Sequence, residues 1–140
     1  MNYLIDTNVL SAARAAARLP KAAIEWLDAA NPDETFVSAV TIFELEIGTR
    51  RMERRDKAQG AVLRRWKNER VLKGFAGRVI PIDSEIAECG AGLQVPNPRP
   101  VIDSLLAATA IVRNMILVTR NERDFEGLPV KTLNPWTANL

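Results

Sequence analysis

The chain has 140 residues, a length typical of one domain, and 47% of them are hydrophobic, so it can form a substantial core. It contains no histidine and one cysteine, Cys89. This composition excludes Ser-His-Asp and Cys-His catalysis, the usual zinc ligand sets and an internal disulfide. Any chemistry must therefore depend on carboxylates, hydroxyls, Lys or Arg side chains, or a hard cation. No apolar run could span a bilayer and no signal-peptide pattern opens the chain, so we expect a cytoplasmic protein in which Cys89 packs within a helix.

The formal net charge of +2 conceals an uneven distribution of charge along the chain. Residues 50–73 contain ten basic and three acidic side chains, which gives this segment a charge of +7 and leaves −5 for the remainder. A basic segment on an acidic body indicates a polyanionic partner. The alternative is that these charges form the ordinary solvated face of a long helix.

Strands and helices alternate along the first half of the chain. The apolar residues 2–5 predict a buried strand that ends at Asp6, followed by helices over residues 8–18 and 20–30. A turn at residues 31–33 precedes a strand at residues 35–38. A third helix begins between residues 39 and 41 and passes Gly48. Amphipathic spacing then predicts a long helix from about Arg54 to Lys73, which the glycines at positions 74 and 77 end.

The second half of the chain continues the alternation. It predicts a strand over residues 78–82, a helix from Asp83 or Ser84 to about Leu93, and a proline-rich loop over residues 95–100. A strongly apolar helix over residues 101–113 leads into a buried strand over residues 115–119. A short turn or helix at residues 121–125 and a weaker strand at residues 130–133 follow. Because no hairpin signal appears, we predict an α/β sandwich with a short parallel sheet, as a single domain over residues 1–140.

Four carboxylates occupy comparable places beside the predicted strands. Asp6 and Asp124 follow strands, Glu44 lies in the first turns of a helix that follows a strand, and Asp103 opens the apolar helix. Because parallel strands end at the same edge of a sheet, all four side chains can point toward one place. Gathered there, they would repel one another and raise their pKa values unless a cation neutralised them. Ligation by oxygen alone suits Mg²⁺ or Mn²⁺.

Each of these carboxylates also has a purely structural interpretation. Free N–H groups in the first turn of its helix can satisfy Asp103. Glu44 can bond back to the Thr41 amide in a capping box. Asp124, taken alone, can be a cap or a solvated charge. The sequence therefore favours a shared site mainly because the four carboxylates recur in the same topological position.

The motifs of this chain resemble those of PIN-domain proteins, in particular the toxins of VapBC-type toxin–antitoxin pairs. The resemblance spans almost the full length, and the order and spacing of its short motifs make it specific. It implies a three-layer α/β/α sandwich, a Mg²⁺- or Mn²⁺-dependent endoribonuclease, a cognate antitoxin and a homodimer. No membrane association is expected, because no apolar run could span a bilayer. The matching segments are Leu4-Ile5-Asp6-Thr7-Asn8, Glu44-Leu45 with Gly48, Val101-Ile102-Asp103-Ser104-Leu105-Leu106-Ala107, Val118-Thr119-Arg120-Asn121, Asp124-Phe125 and Leu133-Asn134-Pro135-Trp136.

The resemblance also implies roles for individual residues. Asp6, Asp103 and Asp124 would hold the cation, and Glu44 would complete the ligand set or position the attacking water. Two further side chains would support the site where the family often places a hydroxyl and a polar or acidic group, namely Thr119 and Asn121. Four arginines that follow the helix carrying Glu44 are candidate contacts to RNA phosphates: Arg50, Arg51, Arg54 and Arg55.

Three other functions compete with this interpretation. The first is a non-catalytic module of the same fold that binds RNA or a partner without turnover. The second is an aspartyl phosphatase of the haloacid dehalogenase type, but Asn8 stands where that pattern requires a second Asp or a Thr. The third is a phosphorylated receiver-like domain, but the early acidic pair and the lysine after a late strand are absent. Metal-dependent cleavage of RNA would separate the nuclease from all three.

Overall fold

The computed structural model describes residues 1–137, which form a parallel sheet enclosed by helices. The sheet has the order β3-β2-β1-β4-β5. Its strands are β1 Tyr3–Ile5, β2 Thr35–Ser38, β3 Val79–Ile80, β4 Ile116–Val118 and β5 Thr132–Leu133. The α-helices are α1 Thr7–Ala13, α2 Lys21–Ala29, α3 Ala39–Arg55, α4 Lys57–Trp66, α5 Ser84–Gly92 and α6 Val101–Arg113. Short 3₁₀ segments cover Ala16–Arg18, Pro32–Glu34 and Glu122–Phe125, and a π-helical segment covers Lys67–Leu72.

The order of the strands creates a crevice beside β1. The chain adds β2 and β3 on one side of β1 and then returns to place β4 and β5 on its other side. In parallel α/β sheets, ligands bind where the strand order reverses, outside the carboxyl ends of the strands. Ile5 pairs with Val118, so the residues that follow them, Asp6 and Thr119, lie side by side at this edge. The Asp6 amide donates to the Val118 carbonyl at 2.9 Å.

Two apolar cores cover the two faces of the sheet. Alternate side chains of a strand point to opposite faces. Leu4 and Leu117, both fully buried, belong to the core beneath α5 and α6, against which the half-buried Cys89 also packs. Ile5 and Val118 belong to the other core, which includes residues of α1 and α2. The predicted α/β/α sandwich is therefore confirmed, and so is the prediction that Cys89 packs within a helix.

Several elements are shorter than the sequence predicts. The first helix ends at Ala13 rather than at residue 18, and residues 14–18 are all exposed. Helices depend on packing of an apolar face for most of their stability, and these residues lack that packing. The third strand covers Val79–Ile80 rather than residues 78–82, because Pro81 has no N–H to donate to a sheet. The final strand covers only Thr132–Leu133.

The basic segment differs most from its prediction. Instead of one helix over residues 54–73, α3 continues through Arg55, and Asp56 (φ −152°, ψ 102°) then ends it. The same Asp56 caps α4, because its Oδ1 accepts from the Gln59 amide at 3.1 Å. A Cβ at Gly60 would lie 2.5 Å from the Glu53 Cα, so the absence of a side chain at Gly60 permits α4 to fold back closely along α3. The segment is therefore a helical hairpin rather than an extended arm.

None of the helices within residues 1–137 combines the length and the hydropathy that crossing a bilayer requires.

Candidate functional site

The four predicted carboxylates line one pocket of about 300 Å³ at the carboxyl edge of the sheet. Four separate parts of the chain bring them there. Asp6 follows β1, and Glu44 lies in the second turn of α3. Asp103 lies in the first turn of α6, and Asp124 lies in the 3₁₀ segment after β4. The polar side chains of Thr7, Asn8 and Asn121 also line this pocket.

Asp6 is the most deeply buried of the four carboxylates, with 7% of its surface exposed. Its Oδ2 accepts hydrogen bonds from the Thr119 hydroxyl at 2.8 Å and from Asn8 Nδ2 at 3.2 Å. Its Oδ1 accepts from the Thr7 amide at 2.7 Å and so caps α1. Burial raises the pKa of Asp6, the hydrogen bonds from Thr119 and Thr7 oppose that rise, and the neighbouring carboxylates add to it.

Asp103 has an unfavourable environment for a negative charge. Partial burial raises its pKa to about 6, and the charges of Asp124, Asp6 and Glu44 contribute to the rise in that order. No group within residues 1–137 donates a hydrogen bond to its carboxylate, and α6 has no side-chain cap. The interpretation in which helix N–H groups satisfy Asp103 is therefore wrong. A carboxylate left in this state is stabilised most directly by a cation.

Glu44 is held by a residue of another helix. Its Oε1 accepts a hydrogen bond from the Thr7 hydroxyl at 2.7 Å, and that hydroxyl also lies 3.2 Å from the Thr41 hydroxyl. The cap of α3 is Ser38, whose Oγ accepts from the Val40 amide at 3.1 Å. The capping box between Thr41 and Glu44 is therefore wrong, which leaves Glu44 available to the pocket.

The two predicted supporting residues lie beside Asp6 and Asp124. Thr119 is fully buried, and its Oγ accepts from the Asn121 amide at 3.1 Å and from Asn8 Nδ2 at 3.3 Å. These two donors direct the hydroxyl proton of Thr119 toward Asp6. Asn121 is exposed and its side chain lines the pocket together with that of Asp124, which is also exposed.

Two residues that organise the pocket, Thr7 and Asn8, had no predicted role in it. Thr7 holds Glu44, and Asn8 bonds to both Asp6 and Thr119. The signals in the sequence were their position directly after Asp6, at a strand-to-helix turn, and their place in the matching segment Leu4-Ile5-Asp6-Thr7-Asn8. Glu44 lies 37 residues from Thr7 and Thr119 lies 111 residues from Asn8, and the sequence does not specify which side chains meet across such separations.

The structure does not bring the four candidate RNA-binding arginines to the pocket. None of them lines it. Because a helix rises about 1.5 Å per residue, residues 50–55 of α3 lie roughly 9–17 Å along its axis from Glu44. Arg50 is also paired with Glu46 at 2.6 Å. Contact between RNA and these side chains, Arg50, Arg51, Arg54 and Arg55, stays a prediction.

The pocket suits a hard cation that keeps several of its water ligands better than a cation bound only by protein side chains. Within residues 1–137 no three Asp, Glu or Cys side chains converge closely enough to form a complete ligand set. The four carboxylates instead surround a space of about 300 Å³. Mg²⁺ usually keeps several water molecules and binds through one or two carboxylates, so both the donor atoms and the spacing are compatible with it.

Replacing Thr119 by valine should destabilise the protein by about 1–2 kcal/mol, because the buried carboxylate of Asp6 and the Asn121 amide each lose a hydrogen-bond partner. Thr119→Ser, which keeps the hydroxyl, is the matched control and should retain most of the stability. Urea unfolding of the three proteins measures the difference. Equal stability of the valine and serine variants would show that the hydroxyl contributes nothing to holding Asp6.

Known proteins resemble the chain over nearly its whole length. The model of the PIN domain matches residues 3–131. VapC ribonuclease Y4jK of Sinorhizobium fredii is 33% identical over 138 residues, which cover 95% of this chain and 96% of that protein. The crystal structure of FitAcB from Neisseria gonorrhoeae has a TM-score of 0.84 and 27% identity, covering 97% of this chain and 99% of that one. A toxin–antitoxin complex from Klebsiella pneumoniae has a TM-score of 0.67 and 26% identity, covering 96% and 98%. The chain belongs to the PIN-domain family.

Proposed function

We propose that the protein is a metal-dependent endoribonuclease that acts as the toxin of a toxin–antitoxin pair. The observation that carries the proposal is the convergence of four carboxylates from four parts of the chain on one pocket, with the pKa values of Asp6 and Asp103 raised there. Two similarities support it, because Y4jK is named a VapC ribonuclease and the Klebsiella structure is described as a toxin–antitoxin complex. The reaction proposed is hydrolysis of RNA phosphodiester bonds.

The cofactor we propose is Mg²⁺ or Mn²⁺, held by Asp6, Asp103 and Asp124 directly or through water. Such an ion, when bound, supplies Lewis-acid stabilisation of charge on the phosphoryl oxygens and lowers the pKa of a bound water. A hydrogen bond of 2.8 Å from the Thr119 hydroxyl fixes the orientation of the Asp6 carboxylate. A bound cation would offset the partial burial and the repulsion from neighbouring carboxylates, which together raise the pKa of Asp103 in the free protein.

Glu44 is the residue we propose to position the attacking water, or else to complete the ligand set. Thr7 occupies its Oε1 with a hydrogen bond of 2.7 Å, which fixes the carboxylate without neutralising it. Its Oε2 receives no hydrogen bond from residues 1–137, so that oxygen can accept a proton from water. None of the described residues that line the pocket with Glu44 is cationic, and the hydrogen bond from Thr7 sets the orientation of Glu44 before substrate binds.

The protein partner we propose is a cognate antitoxin. The Klebsiella complex supports this, as does a mostly apolar groove of about 210 Å³ between α1, α2 and residues 70–78. Apolar side chains of the first two helices line it, including Val9, Leu10 and Trp26. A homodimer is the second assembly we propose. Phe43 precedes Glu44 on α3 and is 59% exposed, so it offers apolar surface that a second copy would cover.

The first test is cleavage of structured cellular RNAs by protein that has been freed of any co-purified partner. We expect fragments in Mg²⁺ or Mn²⁺, no fragments in chelator, and recovery when the metal is restored. Fragment patterns that are identical with and without metal on every RNA would contradict the nuclease. Retention of RNA without cleavage would instead favour the non-catalytic binding module.

A further inference from the structure

Arg120 is a cation that the proposed chemistry leaves unused, and its backbone borders the acidic pocket, because its amide bonds to Asn8 and the next residue, Asn121, lines the pocket. It is exposed and directly follows Thr119. Its amide donates to Asn8 Oδ1 at 3.1 Å, and its carbonyl accepts from Asn134 Nδ2 at 3.3 Å. Its guanidinium carbon lies 4.9 Å from the centroid of the Trp136 ring. Three contacts thus fix Arg120 to residues at both ends of the chain.

The segment 134–136 supplies two of these contacts. Asn134 Oδ1 accepts from the Trp136 amide at 2.9 Å, which holds the two residues together. Trp136 packs against the core beneath α1 and α2, so the position of its ring is fixed by the fold. Stacking of a guanidinium on a tryptophan face is favourable even at an exposed site. The stacking favours a position of the Arg120 guanidinium over Trp136, in the segment that follows β5.

Arg120 also differs from the arginines that stabilise the fold. Arg64 and Arg113 form ion pairs with carboxylates at 2.7–2.9 Å. Within residues 1–137 no carboxylate lies within ion-pair distance of Arg120, although four carboxylates line the neighbouring pocket. A polyanion that approaches such a pocket meets strong repulsion, and a guanidinium at its rim would offset that repulsion through hydrogen bonds to a phosphate.

We propose that Arg120, held against Trp136, binds a backbone phosphate of the RNA next to the one that is cut. This inference rests on the proposed ribonuclease function. Arg120 acts by contact with the RNA, and Trp136 is a positioning residue that restricts where the guanidinium lies. Because the contact is to phosphate, it contributes affinity and alignment of the strand without selecting a base sequence.

The test compares Arg120→Gln with Lys131→Gln. Lys131 is exposed, and it precedes β5 at the edge of the sheet opposite the pocket. Each change removes one positive charge, and the hydrogen bonds of Arg120 involve only its backbone, so both variants should fold. The probe is a labelled mixed-sequence single-stranded RNA, with binding measured in the Asp103→Asn background so that the RNA stays intact. Thermal unfolding of each variant checks that its stability is unchanged.

We expect Arg120→Gln to weaken RNA binding about 5- to 10-fold and to reduce the slope of log affinity against log salt by about 0.7, as loss of one phosphate contact predicts. Lys131→Gln should change affinity less than about 2-fold and leave the slope unaltered. In the otherwise wild-type protein, Arg120→Gln should raise KM more than it lowers kcat. Arg120→Lys should restore the salt slope, and Trp136→Phe should fall between wild type and Arg120→Gln in affinity.

Equal affinity and equal salt slope for Arg120→Gln and Lys131→Gln, in a background that binds RNA, would overturn this inference while leaving the proposed function intact. This inference would also be overturned, with the proposed function intact, if Arg120→Gln lost thermal stability and RNA affinity together while its salt slope stayed unchanged. A wild-type protein that neither binds nor cleaves RNA overturns the proposed function, and this inference with it.

Discussion

Replacing Asp103 by asparagine is expected to lower RNA cleavage and raise the stability of the metal-free protein. Cleavage should fall at least ~10²-fold, because a carboxylate that holds the cation is lost. The free energy of unfolding should rise by about 1 kcal/mol, because the amide escapes the partial burial and the repulsion that raise the pKa of Asp103 to about 6. Replacing a residue that served only the fold would instead lower both RNA cleavage and the free energy of unfolding.

Two measurements separate these effects. Urea unfolding in chelator gives the stability of the metal-free proteins, and the thermal midpoint with and without Mn²⁺ reports metal binding. Mn²⁺ should raise the midpoint of the wild type and have little effect on Asp103→Asn. Asp28→Asn, an exposed carboxylate on α2, is the matched control and should change neither cleavage nor stability. An Asp103→Asn variant that is less stable than wild type in chelator would contradict the strained acidic pocket.

Asp6→Asn should lose cleavage as well, but without the gain in stability. Asp6 accepts hydrogen bonds from the Thr7 amide and the Thr119 hydroxyl, whereas Asp103 accepts none from the described residues. An asparagine at position 6 would present an NH₂ group to one of these donors and leave it unpaired. The contrast between the two variants follows from their hydrogen bonding, since both carboxylates line the same pocket.

The site was largely predictable because its four carboxylates occupy recurrent places in a βα alternation. Asp103 stood out since an otherwise apolar helix contained one ionisable group, and the predicted bounds of that helix, Val101–Arg113, are those of α6. Asn114 ends it in the left-handed conformation, with φ 55°. The roles of Thr7 and Asn8 were not predictable, because Thr7 bonds to Glu44 on α3 and Asn8 bonds to Thr119 after β4, 37 and 111 residues away.

The basic hairpin shows what helical periodicity could not predict. Residues 54–73 have helical spacing throughout, so the pattern favours one continuous helix. Asp56 interrupts this pattern because packing α4 back against α3 gives a larger gain in free energy than continuing one straight helix would. That gain depends on close approach at Gly60 and on pairing of Arg64 with Glu46 and Glu53, which are 18 and 11 residues away. Local propensity carries no information about such contacts.

Replacing Glu46 by glutamine is expected to lower the free energy of unfolding by about 2 kcal/mol at pH 7. Glu46 Oε1 accepts from Arg64 at 2.7 Å and also from Lys67, and Oε2 accepts from Arg50 at 2.6 Å. The side chain of Lys67 is only 6% exposed, so it would keep a buried charge without its carboxylate partner. The cost is smaller than for a fully buried pair because a quarter of the Glu46 side chain remains exposed.

The effect of this substitution should depend on pH in a defined way. Hydrogen bonds from Lys67, Arg64 and Arg50, in that order, lower the pKa of Glu46 from 4.5 to about 2. A carboxyl group whose pKa is lowered on folding contributes stability that is present above its unfolded pKa and is lost as the pH falls through its folded pKa. The difference between wild type and Glu46→Gln should therefore stay constant from pH 7 to about 5 and shrink between 4.5 and about 2. Urea unfolding across this pH range measures it.

The matched control is Glu88→Gln, an exposed glutamate on α5, which should change stability by less than about 0.5 kcal/mol. The double variant Glu46→Gln/Lys67→Met should recover most of the loss, because it removes the unpaired buried charge together with its partner. A Glu46→Gln protein as stable as wild type at pH 7 would contradict the ion-pair network between α3 and α4. Because that network occupies Arg64 and Lys67 internally, less of the basic segment is available to RNA than its charge of +7 suggests.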